Sequence, residues 1–90
     1  MKLYKISQNQ DSDYDTYDSA VVAAPNEEIA RNINPSDGEP LDWKEIAIIS
    51  EKHTSWSCWC TSPDQVIIEY IGEAAIGIKQ GVICASFNAG

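Results

Sequence analysis

Ala20-Val-Val-Ala-Ala24-Pro25-Asn26-Glu27-Glu-Ile-Ala-Arg-Asn-Ile33 holds two kinds of periodicity back to back. Ala20 to Ala24 is a short apolar run, and its β-branched pair reads as a buried strand. Pro25-Asn26 breaks it. Asn26 suits a helix N-cap, and Glu27 and Glu28 follow where the helix dipole favours anions. Ile29 and Ile33 lie four apart with Ala30 beside them, one apolar stripe of a short helix. Asn34-Pro35 stops it. A strand feeding an amphipathic helix calls for a sheet with a helix on one face.

Working outward, Lys2-Leu-Tyr-Lys-Ile-Ser7 sets Leu3 and Lys5 on one face and Tyr4 and Ile6 on the other, and reads as an edge strand. Gln8 to Tyr17 is polar and unpatterned, a loop. Ser36 to Asp42, rich in Pro and acid, reads as another. Glu45-Ile-Ala-Ile-Ile-Ser50 is β-branched and strand-like. Glu51 to Ser57 reads as a turn into an aromatic strand through Trp56, Cys58 and Cys60. Ser62-Pro63-Asp64-Gln65 has the pattern of one capped helical turn with Pro at its first position. Val66-Ile-Ile-Glu-Tyr-Ile71 is the clearest strand, with Glu69 on its polar side. Ala74 to Gln80 reads as a short helical turn ended by Gly81, and Val82-Ile-Cys-Ala-Ser-Phe87 as a last strand. The expected fold is α+β: a small, mostly antiparallel four- to five-stranded sheet packed against one helix, with residues 1–90 as a single domain.

Composition excludes several classes. The 90 residues carry 6 Lys+Arg against 14 Asp+Glu, a formal charge of −8, with 43 % hydrophobic residues. That is too apolar for a disordered acidic tail. No apolar run approaches the roughly 18–20 residues of a membrane span, and no secretory h-region follows Met1. A cytoplasmic protein is expected, with its three cysteines as free thiols. Six cations cannot form the broad basic face of a phosphate-binding protein. The charge is also unevenly placed. Residues 11–45 carry ten acids against Arg31 and Lys44, whereas residues 46–90 are close to neutral.

Four groups of residues invite chemistry. Asp11-x-Asp13-x-Asp15-x-x-Asp18 alternates carboxylates as a calcium loop does. Thr16 stands at the sixth position where an EF-hand needs Gly, however, and Val22 at the twelfth where it needs Glu. A solvated loop or an acidic recognition surface fits better, and the interleaved Tyr14 and Tyr17 suit contact with an Arg-rich partner. Cys58, Cys60, Cys84 and His53 make a conceivable Cys3His zinc set, although Cys-x-Cys is an uncommon knuckle and cysteines beside Trp are ordinarily buried hydrophobes. No cofactor is assigned. Trp43, Trp56 and Trp59 are more indoles than a small core requires, one of them a candidate interface anchor. Gly72, Gly77 and Gly81 match neither phosphate-loop spacing, because Ile78-Lys79 follows Gly77 where Lys-Ser/Thr belongs. No nucleophile–base pair survives, so an enzyme is not expected.

Tyr14-Asp-Thr-Tyr-Asp-Ser-Ala-Val-Val-Ala-Ala24 with Glu27-Glu-Ile-Ala-Arg31, and the ending Ile71-Gly-Glu-Ala with Gly81-Val-Ile-Cys-Ala-Ser-Phe-Asn-Ala-Gly90, resemble the opening and close of small acidic proteins of tailed phages and prophages. The resemblance implies a compact α+β fold and a phage setting, and brings no catalytic residue. Anti-defence proteins of the anti-CRISPR kind share this size and charge. The expected function is therefore an acidic protein–protein inhibitor, a nucleic-acid mimic in the host cell cytoplasm. Asp11, Asp13, Tyr14, Asp15, Tyr17 and Asp18, with Glu27 and Glu28 behind, would cover a basic surface of a CRISPR-Cas or other nucleic-acid-binding host protein. No direct contact with nucleic acid or membrane is expected, and a homodimer is compatible with the sequence. The alternatives are the zinc protein above and a phage structural or assembly protein.

Overall fold

The computed structural model describes residues 1–8, 16–46, 59–60 and 62–88. Strands β1 (Lys2–Ser7), β2 (Thr16–Ala24), β3 (Ile67–Glu73) and β4 (Gly81–Asn88) form one sheet in the order β3-β1-β2-β4, every neighbouring pair antiparallel. Helix α1 (Glu27–Arg31), a helical turn at residues 43–46 and a 3-10 turn at Pro63–Gln65 accompany it. This is the expected small α+β domain, with four strands.

The β1 alternation is as expected: Tyr4 and Ile6 are buried on one face, while on the other Leu3 is half-buried and Lys5 exposed. Its position is not. β1 pairs with β2 on one side and β3 on the other, so it is a central strand. Lys5 points out of the face opposite Tyr4 and Ile6, with Glu69 opposite it across the strand pair. A charge facing water above the sheet does not require the strand to lie at its margin.

β2 starts at Thr16, four residues before the apolar run. Gln8, 7 % exposed, fixes this extension: its backbone N–H donates to Asp18 O at 3.3 Å and its side-chain Nε2 to Tyr17 O at 3.1 Å. Tyr17 thus leaves the expected loop for a strand position opposite Phe87. Tertiary pairing overrides the polar local sequence.

In α1, Asn26 has extended backbone and its Oδ1 accepts the Ile29 N–H at 2.9 Å, the expected cap. The helix is two residues shorter than the apolar stripe suggests. Ile33 leaves it to bridge Pro40, while Leu41 N–H donates to Asn32 O at 2.7 Å and Asn34 N–H to Glu39 O at 2.9 Å. Ile33 stays 2 % exposed, so the apolar side chain is buried without helical backbone. The fold-back turns on Gly38, whose φ of +78° is open to glycine at little cost.

Two expectations are corrected further along. Glu45 and Ile46, expected to open a strand, are helical: Asp42 Oδ1 accepts the Glu45 N–H at 3.2 Å and Asp42 O accepts the Ile46 N–H at 3.0 Å. An acid placed to cap outweighs the β-branched run behind it, and the remainder of that expected strand, residues 47–50, lies outside the described residues. The expected helical turn at 74–80 is instead an open connection carrying the chain from the β3 edge across the sheet's end to the β4 edge. Ile78 N–H donates to Ala75 O at 3.2 Å, Gly77 sits at φ +93°, and Gly81 begins β4 instead of capping a helix. The turn at Pro63–Gln65 is as expected, closed by Gln65 N–H to Ser62 O at 3.1 Å.

The main core cluster lies on the helical face, and Ala23 is buried on the other. Tyr4, Ile6, Ala20, Val22, Ala24, Ala30, Ile33, Trp59, Cys60 and Val66 form the cluster, with Ile29, Leu41 and Trp43 packed around them. Alanines at 20, 24 and 30 let α1 lie close to β2. Arg31 ties the layer together: its Nη1 donates to Pro63 O at 2.7 Å and to Val66 O at 3.2 Å. Among the described residues no helix is long and apolar enough to cross a membrane.

Candidate interaction surface

Of the acidic residues nominated from sequence, the described ones are Asp18, Glu27 and Glu28. Asp11, Asp13, Tyr14 and Asp15 lie outside the described residues. Asp18 is exposed on β2, at a bulge where Tyr17 pairs with Phe87 and Ser19 with Ser86. Tyr17 is half-buried and packs against the core, which leaves it less surface for a partner than a loop tyrosine would have. Glu27 and Glu28 are exposed in the first turn of α1. Ala24 lies six residues along β2 from Asp18, about 20 Å at strand rise, so Asp18 and the two glutamates stand at opposite ends of β2.

The structure gives Glu27 and Glu28 other company. Because Ile33 bridges Pro40, the 34–42 loop folds back beside α1. It is knitted by its own acids and amides: Asn34 Oδ1 accepts from Ser36 N and Oγ at 2.9 and 2.8 Å, and Asp37 Oδ1 accepts the Glu39 N–H at 2.9 Å. Glu27, Glu28, Asp37, Glu39, Asp42 and Glu45 are all exposed on this helical side. The cations of the same stretch are Arg31, whose guanidinium is held by the Pro63 and Val66 carbonyls, and exposed Lys44. Asp37, Glu39, Asp42 and Glu45 were legible as charge but not as neighbours of α1; the signal was Asp37-Gly38, a turn pair placed to reverse the chain just after the helix stop. Between α1 and this loop runs a groove of about 250 Å³ lined by Glu28, Ile29, Asn32, Ile33, Pro40 and Gln80.

The other constellations resolve as follows. Of the calcium pattern, Val22 is fully buried in β2, so its twelfth position holds a core side chain. Of the zinc set, Cys58 and His53 lie outside the described residues. Cys60 is 1 % exposed in the core, its Sγ donating to Ser62 O at 3.6 Å, and burial pushes its thiol up to about 11. Cys84 is exposed and pairs with Val21, on the Lys5 face of the sheet. These two thiols stand on opposite faces, where a single tetrahedral ion does not reach both. Trp43 is half-buried against the core and its Nε1 donates to Asn32 Oδ1 at 2.6 Å; Trp59 is 3 % exposed. Both belong to the core layer, and Trp56 lies outside the described residues. Gly72, Gly77 and Gly81 fall in β3, in the crossing turn and at the start of β4. Glu69 is exposed, as its place on the strand suggested.

No protein-family model matches the chain, and neither does any curated protein or solved structure.

Proposed function

We propose that this chain is a non-enzymatic binding protein whose helical side covers a basic surface on a partner, in the manner of a nucleic-acid mimic. The observation that carries the reading is the set of six exposed carboxylates at Glu27, Glu28, Asp37, Glu39, Asp42 and Glu45, spread over α1 and the loop beside it. Among the described residues, none of them is held by an ion pair with a cation of the chain itself. Carboxylates left to solvent steer association with Arg and Lys and compete for the sites that phosphates occupy. The phage resemblance supplies the setting: a host cytoplasm, and a CRISPR-Cas component or another nucleic-acid-binding defence protein as partner.

The experiment is capture from a bacterial host lysate on immobilised protein, followed by competition with single-stranded nucleic acid. Nucleic-acid-binding proteins are expected, released by salt and displaced by the competitor. Reversal at Glu27, Glu28, Asp37 and Glu39 to Lys removes most of that capture, and reversal at Asp13, Asp15 and Asp18 tests the acids of the 11–18 stretch. Retention of the same partners with the same salt dependence after both reversals would refute the reading.

A further inference from the structure

The sheet has two margins, and they are built differently. The β3 margin carries Glu69 and Glu73, both exposed, and like charges are a standard means of keeping a strand edge from pairing. The β4 margin has no such guard: from Gln80 to Gly90 the sequence contains no charged residue and no proline. Ile83 is 48 % exposed, and Cys84, Ala85 and Ser86 are exposed beside it. Among the described residues β4 pairs with β2 alone, which leaves its outer row of N–H and C=O groups unused by the sheet. One bulge, where Ile83 is skipped between Val22–Val82 and Val21–Cys84, relieves the start of the strand. Beyond it the pairs Val21–Cys84, Ala20–Ala85 and Ser19–Ser86 run in regular register.

We propose that β4 is a self-recognition edge, along which residues 83–87 of two copies of this chain pair antiparallel about Ala85 to make a continuous eight-stranded sheet. Charge selects the occupant. Two copies of a chain with net charge −8 repel wherever acidic surface meets acidic surface. Of the four strands, β1 carries lysines, β2 Asp18 and β3 two glutamates, whereas β4 is neutral along its length. It is the line on which two copies meet without opposing like charges, and it offers a basic partner no carboxylate. An antiparallel pair of identical strands also matches its own hydrogen-bond spacing.

Symmetry fixes the rest. The twofold axis stands normal to the sheet, because opposed residues of antiparallel strands share a face. Both helical sides then lie on the same side of the eight-stranded sheet, and the two acidic surfaces face one way. A strand pair of this length falls short of the roughly 1,200 Å² typical of stable interfaces, so the dimer belongs in the micromolar range or weaker. Added salt screens the repulsion between the acidic bodies and strengthens the pair. That sign is opposite to the one expected for a basic partner, so this pairing and the proposed function fail separately.

The test is sedimentation equilibrium on the full chain, from micromolar to near-millimolar concentration, at salt levels that shorten the screening length from about 30 Å to about 8 Å. The mass should rise from one chain toward two, at several-fold lower concentration in the higher salt. Ala85→Glu should remain a single chain with an unchanged circular dichroism spectrum, and mixing it with Ala85→Lys should restore a two-chain species. If Ala85→Glu does not fold, hydrogen exchange on the unaltered protein decides: amides of residues 83–87 gain protection with concentration and those of β3 do not. A single-chain mass throughout, an Ala85→Glu variant that pairs like its parent, or concentration-independent exchange in β4 overturns the proposal.

Discussion

The two faces of this sheet are made from the same four strands and obey different rules. Toward the helices stand Tyr4, Ile6, Ala20, Val22 and Ala24, all at most 4 % exposed. On the other face stand Lys5, Ser19, Val21, Cys84 and Ser86, around a shallow groove of about 170 Å³. Adjacent residues therefore live in different solvents. Most of the stability resides on the helical face. On the other, the exposed positions Lys5, Cys84 and Ser86 are free to vary in chemistry without much cost to the fold, Ala23 alone being fully buried there among the described residues. The contrast also separates the two thiols: at neutral pH a thiol raised from 9.0 to about 11 holds about 100-fold less thiolate than an ordinary one, and Cys60 is shielded as well. In a Cys58→Ser background, one thiol should titrate rapidly with a disulfide reagent in the native state, and Cys84→Ser should abolish that fast phase. The sign for stability follows from the same shift. The unfolded chain gives up the Cys60 proton near pH 9 while the folded one keeps it to about 11, so this contribution is complete below pH 9 and declines as pH rises toward 11. Urea titrations across that range, compared with Cys60→Ala, read it out.

Truncation on the covered face should follow next in size. Ile6 is fully buried at the middle of a central strand, and Ile6→Ala should cost about 2–5 kcal/mol in urea unfolding. Arg31→Met should cost about 1–3 kcal/mol, because it keeps the stem's packing but strips the donor from the Pro63 and Val66 carbonyls. Faster exchange at the amides of the 3-10 turn would locate that loss. A negligible effect would mean that α1 and β3 are held together without the guanidinium.

These contrasts also show what the sequence could convey. Alternation in residues 2–7, the apolar run 20–24, the Asn26 cap and the Ser62-Pro63 turn are local signals, and each appears as read. Strand order is not local. The pattern of residues 2–7 reads as an edge strand, but a charged residue such as Lys5 finds water above an open face as well as beside a margin. Tyr17 was assigned to a loop because its neighbours are polar, while the bonds that make it a strand come from Gln8 and from pairing with β4. The acidic region was legible as an excess of charge in residues 11–45. The gathering of Asp37, Glu39 and Asp42 beside Glu27 and Glu28 depends on a reversal at Gly38 that composition does not encode.

Asn26→Ala tests the smaller energies of the helical layer. Its Oδ1 bond to the Ile29 N–H is exposed, so removal should cost about 1 kcal/mol and fray a five-residue helix that has little intrinsic stability. Asn26→Ser should recover most of it, since the requirement is a short side-chain acceptor at an extended residue.

The smallest effect probes the comparison most directly, because it uses one residue type at two consecutive positions. Val22 is 0 % exposed and Val21 is half-buried on the other face. Threonine has nearly the shape of valine and similar strand propensity, so the exchange replaces a methyl with a hydroxyl and changes little else. At position 22 the hydroxyl enters the core and should cost about 1–3 kcal/mol unless it finds an acceptor. At position 21 it meets water, and Val21→Thr should stay within about 0.5 kcal/mol at concentrations where the chain is single. A loss at Val21 as large as that at Val22 would mean that the Lys5 face is covered after all, and stability would then have to be assigned to both faces of the sheet.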